Sequence, residues 1–192
     1  MIILHHCHES RSMRALWLIH ELQLNAEIIT HTFGRELHTP DYLAIHPLGR
    51  VPCLIDQDTA LFESGAITEW LCHRHDKHHH FGRHQDHPER FEWLQWVHYS
   101  ETMAVHCANL TQQFIALNDE SLRSPTVIKL EKRRLEKSIG VIEQHLADRD
   151  YMLDSGFSAA DISIGYSLHV GRLFTDLSVF EKTAAYYQRL SE

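Results

Sequence analysis

The apolar residues of this chain follow two different patterns, and the change between them limits the fold more than any other feature. Early in the chain, the short runs Ile2–Leu4 and 27–32 have the β-branched character of strands and flank a helical pattern at residues 12–24. This order predicts a strand-helix-strand unit whose two strands are parallel. Residues 51–55 and 60–62 then predict an antiparallel hairpin.

The second pattern is helical only. A short helix at Pro40 and a longer helix from Ser64 to about His75 complete the first part of the chain. Helices are then predicted to begin at Pro88 and at Pro125, because proline suits the first turn of a helix.

A further helix start is predicted at residues 158–161, just before an apolar run. There a serine hydroxyl can accept a backbone amide proton, and Asp161 can reach back to the start of the helix. Strands followed by helices indicate an α+β fold. We predict a first domain at 1–75, a histidine-rich linker at 76–87 and an all-helical domain at 88–192.

The charge of the chain argues against one class of partner. Eighteen Lys and Arg against 26 Asp and Glu give a formal net charge of −8. A nucleic-acid-binding protein needs a basic face to displace counterions, so no nucleic acid is expected as a partner. The 18 histidines make the net charge sensitive to mildly acidic pH.

The chain also lacks the features of a membrane or secreted protein. No apolar run approaches the roughly 18 residues that a membrane helix needs. The start Met1–His6 has neither the basic beginning nor the apolar stretch of a signal peptide. The expectation is a cytoplasmic protein with no membrane partner, in which the four scattered cysteines are reduced thiols.

Four segments, in this order, resemble the cytosolic glutathione transferase family of bacterial type. They are residues 10–17 (SRSMRALW), 46–52 (HPLGRVP), 63–67 (ESGAI) and 157–162 (FSAADI). The resemblance covers essentially the whole chain. It implies a thioredoxin-like N-terminal domain (βαβ-α-ββα) before the helical domain, glutathione as co-substrate, a small hydrophobic electrophile as second substrate, and a homodimer.

The resemblance also implies which residues bind glutathione. At Val51-Pro52 the family has a cis peptide, next to which the main chain can pair with an extended peptide such as the cysteinyl part of glutathione. Ser64, expected as the cap of its helix, would bind the α-carboxylate of the γ-glutamyl group, and Glu63 would meet its ammonium group. Arg50 would reach the glycyl carboxylate.

Three residues after the first strand are candidates for activating the glutathione thiol. One spacing from Arg14 selects Ser10, and a spacing that resembles the beta class selects Ser12, which could also simply cap the first helix. A serine hydroxyl would stabilise the thiolate by donating a hydrogen bond. Cys7 would instead form a mixed disulfide and make the protein a thiol transferase or a dehydroascorbate-reductase-like enzyme, unless it is a buried structural thiol. A non-catalytic binding module with the same fold is a further alternative.

The electrophile is expected to bind between the two domains. On the helical side, Tyr99, Met103 and His106 lie on one helical stripe and are predicted to line that pocket, although the same stripe could belong to the core. The histidines of residues 73–87 could bind Zn, Ni or Cu, but no regular ligand spacing accompanies them, so no metal is expected.

Overall fold

The computed structural model describes all residues from Met1 to Glu192, and the chain divides into two compact units, Met1–His87 and Pro88–Glu192. None of the helices combines the length and the apolar composition that a membrane-spanning segment needs.

The first unit is built on a four-stranded mixed sheet. Its strands are β1 (Ile2–His6), β2 (Ala26–Thr30), β3 (Cys53–Asp56) and β4 (Thr59–Phe62), in the order β2-β1-β3-β4. Strands β1 and β2 are parallel, with Leu4 opposite Ile28, whereas β1 and β3 are antiparallel, with Leu4 opposite Leu54. Strands β3 and β4 form an antiparallel hairpin, so the predicted parallel pair and hairpin are confirmed.

Three α-helices complete the first unit, in the order that the sequence predicts. They are α1 (Ser12–Glu21), α2 (Pro40–Ile45) and α3 (Ser64–His75). Helices α1 and α3 pack against each other and bury apolar side chains, among them Leu18 from α1 and Ile67 and Leu71 from α3. This arrangement is the expected thioredoxin-like fold.

Residues 76–87, predicted as a linker, form a folded turn within the first unit. The carboxylate of Asp76 accepts hydrogen bonds from the amides of His80, Phe81 and Gly82 at 2.7–3.0 Å. The buried Arg83 guanidinium donates to main-chain carbonyls of the same turn, including that of Gly82 at 2.8 Å. Gly82 also lies so close to α3 that a Cβ atom there would be 2.7 Å from the Cβ of Cys72. Polar side chains of this segment therefore form hydrogen bonds with its own main-chain N–H and C=O groups.

The second unit is all helical. Its helices are α4 (Arg90–Thr111), α5 (Pro125–His145), α6 (Ala159–Gly171) and α7 (Glu181–Leu190). Helix α6 is buried along most of its length and packs on α4, which also contacts α5, while α7 contacts α5 and α6.

The start of α6 contains the predicted capping box. The Ser158 hydroxyl accepts the amide proton of Ala160, and the Asp161 carboxylate accepts the amide proton of Ser158 at 2.8 Å. Asp161 also accepts hydrogen bonds from the Met152 amide at 2.8 Å and from the Tyr186 hydroxyl at 2.9 Å. The same carboxylate therefore fixes the helix start, the loop before it and helix α7.

Candidate active site

The loop between β1 and α1 brings Ser10 and Ser12 into direct contact. Their hydroxyl oxygens lie 2.6 Å apart, and both lie within hydrogen-bond distance of the Cys7 carbonyl, at 2.8 Å for Ser10 and 3.1 Å for Ser12. Ser12 is fully buried, whereas Ser10 is 8% exposed. The two serines that sequence reasoning treated as alternatives therefore belong to one hydrogen-bonded group.

Ser12 does not cap the first helix. Arg11 occupies the N-cap position, and Ser12 is the first helical residue. Its hydroxyl instead accepts the amide proton of Cys7 at 3.2 Å and lies 2.7 Å from Nδ1 of His6, the last residue of β1. Sequence reasoning missed His6, since only the alternation of β1 hinted that this side chain faces the same side as the buried Leu4.

Cys7 lies in an apolar environment. It is 1% exposed and packs in a buried cluster with Leu37 and Tyr42, against which Val51 also packs. Burial raises the pKa of the Cys7 thiol, and the Glu36 carboxylate raises it further. A reactive cysteine needs a low pKa and access to solvent, so these surroundings favour the buried structural thiol.

The segment before β3 leaves the main chain of one residue, Val51, unpaired. The Val51-Pro52 peptide bond is cis, as the resemblance implies. Behind it, the Tyr42 hydroxyl donates to the Arg50 carbonyl at 2.6 Å. Gly49 has φ 58°, and a Cβ atom there would lie 2.5 Å from the Leu37 carbonyl oxygen, so the turn requires glycine. No hydrogen bond within the chain engages the main-chain N–H or C=O of Val51.

The junction of β4 and α3 departs from its sequence-based interpretation at one point. Glu63, not Ser64, occupies the N-cap position, with φ 76° and an exposed side chain. This left-handed conformation is uncommon for a residue with a side chain, and such outliers cluster at functional sites. Ser64 is the first residue of α3, and its hydroxyl accepts a hydrogen bond from Arg14 Nη1 at 3.0 Å.

Arg14 is a site residue that sequence reasoning used only to align the serines. It lies in α1 with a side chain 1% exposed, and its guanidinium links α1 to the start of α3. Its position four residues before the buried Leu18, on the same helical face, was the available signal. A buried cation beside the Ser64 hydroxyl makes this end of α3 suited to an anion. Arg50, by contrast, has an exposed side chain.

The three residues predicted to line the electrophile pocket all lie in α4, but in different environments. Met103 is fully buried, so it belongs to the core of the second unit. The Tyr99 hydroxyl donates to the Ser138 carbonyl at 3.1 Å, and His106 Nδ1 lies 2.7 Å from a carboxylate oxygen of the buried Glu131. The pocket assignment stays a prediction for Tyr99 and His106, and Met103 follows the core alternative.

The histidine-rich segment places several rings near one another. The ring centroids of His79 and His84 are 5.3 Å apart, and those of His84 and His87 are 5.5 Å apart. The structure contains no group of three or more His, Cys, Asp or Glu side chains that is arranged to hold a metal ion.

The sequence is similar to a known family model and to known proteins. The family model of the glutathione S-transferase N-terminal domain matches residues 1–73. Glutathione S-transferase 1 of Schizosaccharomyces pombe is 29% identical over 162 residues, which cover 82% of this chain and 70% of that protein. Residues 1–73 therefore form a glutathione S-transferase N-terminal domain, and the chain as a whole is similar to glutathione S-transferases.

Two further comparisons concern the fold of the family and a longer relative. The crystal structure of glutathione transferase URE2P8 from Phanerochaete chrysosporium, which contains oxidized glutathione, matches with a TM-score of 0.89 at 20% identity and covers 98% of this chain and 88% of that chain. Elongation factor 1-gamma 3 of Oryza sativa is 27% identical over 133 residues, which cover 69% of this chain but 31% of that protein.

Proposed function

We propose that the protein is a glutathione transferase that binds reduced glutathione on its first unit and presents the sulfur as a thiolate to a small hydrophobic electrophile. The observation that carries the proposal is the combination, within one unit, of an unpaired main chain at Val51 and a helix start at Ser64 whose hydroxyl is bound by the buried Arg14 guanidinium. Each accounts for a different part of the glutathione molecule.

The start of α3 suits the γ-glutamyl group. The first amides of this 12-residue helix have no partner within the helix, so they can donate to a carboxylate. The Ser64 hydroxyl accepts its hydrogen bond from Arg14, which leaves its own proton for the same carboxylate. The exposed Glu63 side chain is placed one residue earlier, where it can bind the ammonium group.

The Val51 segment suits the rest of the peptide. An extended cysteinyl main chain can pair with the N–H and C=O of Val51 as an added strand. The neighbouring Arg50 side chain is exposed and can bind the glycyl carboxylate. Pro52, the next residue, is buried.

The serine pair suits the thiol. A free thiol has a pKa of about 8.5, and lowering it by about two units corresponds to roughly 2.7 kcal/mol of preference for the thiolate. Of the two hydroxyls, only that of Ser10 belongs to a residue with measurable exposure, so we assign Ser10 as the donor to sulfur. The first turn of α1 adds a favourable helix dipole.

Calorimetric titration with reduced glutathione tests the binding. We expect Ser64→Ala to weaken binding by roughly 10-fold or more, the value for losing a hydrogen bond to a charged group. Ser121→Ala, an exposed serine of the second unit, is the matched control and is expected to leave affinity unchanged. Absence of heat in the wild-type protein, together with no competition by S-alkyl glutathione, would contradict the proposal.

A non-catalytic binding module is the second candidate, and the similarity to part of elongation factor 1-gamma is the observation that favours it. The two functions differ in turnover. A protein that binds glutathione in the titration but does not accelerate its conjugation with a chloronitrobenzene test substrate is such a module.

We also propose a homodimer, the assembly that the family resemblance implies. Large apolar side chains that are exposed in each unit, such as Phe62 and Phe91, are consistent with a partner surface. Light scattering at micromolar concentration should give about 45 kDa, twice the chain mass of 22.5 kDa. A mass equal to that of one chain contradicts the dimer.

A further inference from the structure

The Ser12 hydroxyl oxygen lies within hydrogen-bond distance of four other atoms, although the hydroxyl has only one proton to donate. Its oxygen lies 2.7 Å from His6 Nδ1, 2.6 Å from Ser10 Oγ, and 3.1 and 3.2 Å from the carbonyl and the amide of Cys7. A hydroxyl has one proton and two lone pairs. The Cys7 amide can only donate, so one lone pair and one proton of Ser12 remain for the other contacts.

The Ser10 hydroxyl restricts the choice further. The Cys7 carbonyl can only accept, and it lies closer to the Ser10 oxygen (2.8 Å) than to the Ser12 oxygen (3.1 Å), which favours the Ser10 proton as its donor in the ligand-free protein. The 2.6 Å contact between the two serine oxygens then has to use the proton of Ser12. The remaining lone pair of Ser12 faces His6 Nδ1, which must therefore carry a proton.

The far side of the His6 ring supports the same assignment. His6 is 1% exposed, and its Nε2 atom is buried with no hydrogen-bond partner. A buried N–H without an acceptor is rarer in proteins than a buried acceptor without a donor. With the proton on Nδ1, the unpartnered Nε2 is only a lone pair. In the alternative tautomer, His6 carries its proton on Nε2, and that N–H is buried without an acceptor. Ser12 would then donate to His6 Nδ1 and Ser10 would donate to Ser12, so the Cys7 carbonyl would lose the Ser10 proton.

We infer that His6 is a positioning residue for thiol activation: its Nδ1–H donates to Ser12, Ser12 donates to Ser10, and the Ser10 proton is the one that can turn to a bound sulfur. The inference rests on the proposed function and extends it to a residue behind the serines. It also makes Ser12 a positioning residue, because its proton is committed to Ser10.

The chain of donors acts without transferring a proton. When a thiolate binds, the Ser10 hydroxyl rotates from the Cys7 carbonyl to the sulfur, while its oxygen keeps the hydrogen bond from Ser12. Successive hydrogen bonds polarise one another by about 10–30% per bond, so Ser10 becomes a better donor than an isolated serine. His6 stays neutral throughout, and the proton of the glutathione thiol leaves to solvent.

The tautomer of His6 can be observed directly in the ligand-free protein. Nitrogen-15 NMR of histidine-labelled protein distinguishes a protonated from an unprotonated ring nitrogen. We expect the His6 signal to show a protonated Nδ1 and an unprotonated Nε2 at neutral pH. A protonated Nε2 with a bare Nδ1 overturns the inference. Because this measurement needs no glutathione, it stands even if the proposed function fails.

Substitutions test the effect on the sulfur. His6→Leu removes the donor, whereas His6→Asn keeps an N–H near the position of Nδ1 and cannot titrate. The readout is the pKa of glutathione bound to the protein, followed by thiolate absorbance. We expect His6→Leu to raise this pKa by about 0.5–1 unit and to lower turnover by roughly 3- to 10-fold at fixed pH, with His6→Asn within about twofold of wild type.

His8→Leu is the matched control. His8 is exposed, and its ring lies 5.1 Å from that of His6, so this variant changes the neighbouring ring but not the donor chain. It should leave the pKa of bound glutathione unchanged. Unchanged pKa in a His6→Leu protein that still binds glutathione overturns the inference, as does an effect of His6→Asn equal to that of His6→Leu. Loss of glutathione binding in the wild-type protein refutes the proposed function instead.

Discussion

Two buried polar clusters, one in each unit, differ in how donors and acceptors are balanced. In the second unit, Asp161 is an acceptor group that meets four donors, two on each carboxylate oxygen. Burial raises the pKa of Asp161, and hydrogen bonds from the Met152 amide, the Tyr186 hydroxyl and Ser158 oppose that shift. Every lone pair has a partner, so the cluster has one arrangement.

The serine cluster of the first unit has the opposite balance. In the arrangement inferred above, the Ser12 proton goes to Ser10, and the Ser10 proton goes to the Cys7 carbonyl, which lies within reach of both hydroxyls. The Ser10 proton can turn to a new acceptor at the cost of one hydrogen bond to that carbonyl. A balanced network fixes a fold, whereas an unbalanced network at a partly exposed edge leaves a donor for a ligand.

The largest expected effect is on the balanced cluster. Asp161→Asn places an amide NH₂ among groups that all donate, so at least one buried donor loses its acceptor. We expect the free energy of unfolding to fall by about 3 kcal/mol, which corresponds to a decrease in Tm of roughly 6–12 °C. Thermal unfolding followed by circular dichroism measures it. The exposed Asp148→Asn is the control, and a loss below about 1 kcal/mol for Asp161→Asn would show that this cluster is not balanced.

The next effect concerns activity instead of stability. Ser10→Ala should lower conjugation of a chloronitrobenzene substrate by roughly 10- to 100-fold at fixed pH, because a hydrogen bond of about 1.5–3 kcal/mol to the thiolate is lost. The free energy of unfolding should fall by about 1–2 kcal/mol, less than for Asp161→Asn, because the Cys7 carbonyl and the Ser12 hydroxyl lose their partner at Ser10. Ser12→Ala should cost less activity than Ser10→Ala. If Ser12→Ala is far more damaging, Ser12 is the donor to sulfur and our assignment of the pair is reversed.

A smaller effect tests whether a carboxylate bound by several donors, Glu143, makes the free energy of unfolding depend on pH. Burial raises the pKa of Glu143, but hydrogen bonds from the amides of Lys182 and Thr183 and from the Thr183 hydroxyl outweigh it, so the pKa is lowered overall. A carboxylate with a lowered pKa stabilises the fold above its unfolded pKa, near 4.3, and this contribution is lost as the pH falls through the folded pKa.

Glu143→Gln should therefore lower the free energy of unfolding by about 1 kcal/mol at pH 7 and by much less at pH 3. Denaturant unfolding at the two pH values measures the difference. Glu136→Gln, an exposed position of the same helix, provides the control. An equal loss in the free energy of unfolding at both pH values would mean that the charge of Glu143 does not contribute to stabilising the start of α7.

The smallest expected effect is at Cys7. Because its thiol is buried among apolar side chains and its pKa is raised, Cys7→Ala should change conjugation by less than about threefold. Wild-type protein incubated with oxidised glutathione should gain no glutathionyl mass at Cys7. A mass gain there, with loss of disulfide exchange in Cys7→Ala, would establish the thiol transferase alternative.

The features that the sequence could predict are those in which the interacting residues lie close together along the chain. The capping box of Ser158 and Asp161 spans four positions, and the strands follow from local patterns, so both could be predicted. The hydrogen bond from Arg14 to Ser64 joins residues 50 positions apart, and no local pattern contains it. The start of helix α7 could not be predicted for a similar reason, because its first amides are bound by Glu143 of α5.

The helix caps show a different limit. From the sequence, Ser64 is expected to cap α3, and capping α1 is one of two alternative roles for Ser12, since serine is a favoured capping residue. In both cases the serine is the first helical residue and its hydroxyl is engaged by another side chain, His6 or Arg14. Capping preference describes isolated helix ends, and at these two positions tertiary hydrogen bonds override it.

The folded turn around Asp76 has a consequence for dissecting the chain. Asp76 binds three amides that follow it, and Gly82 lies directly against Cys72 of α3. A fragment that stops at residue 75 would expose that face of α3 and remove the carboxylate that orders the turn. The smallest fragment of the first unit that folds on its own should therefore extend to about residue 87, and limited proteolysis should cut after this turn rather than before it.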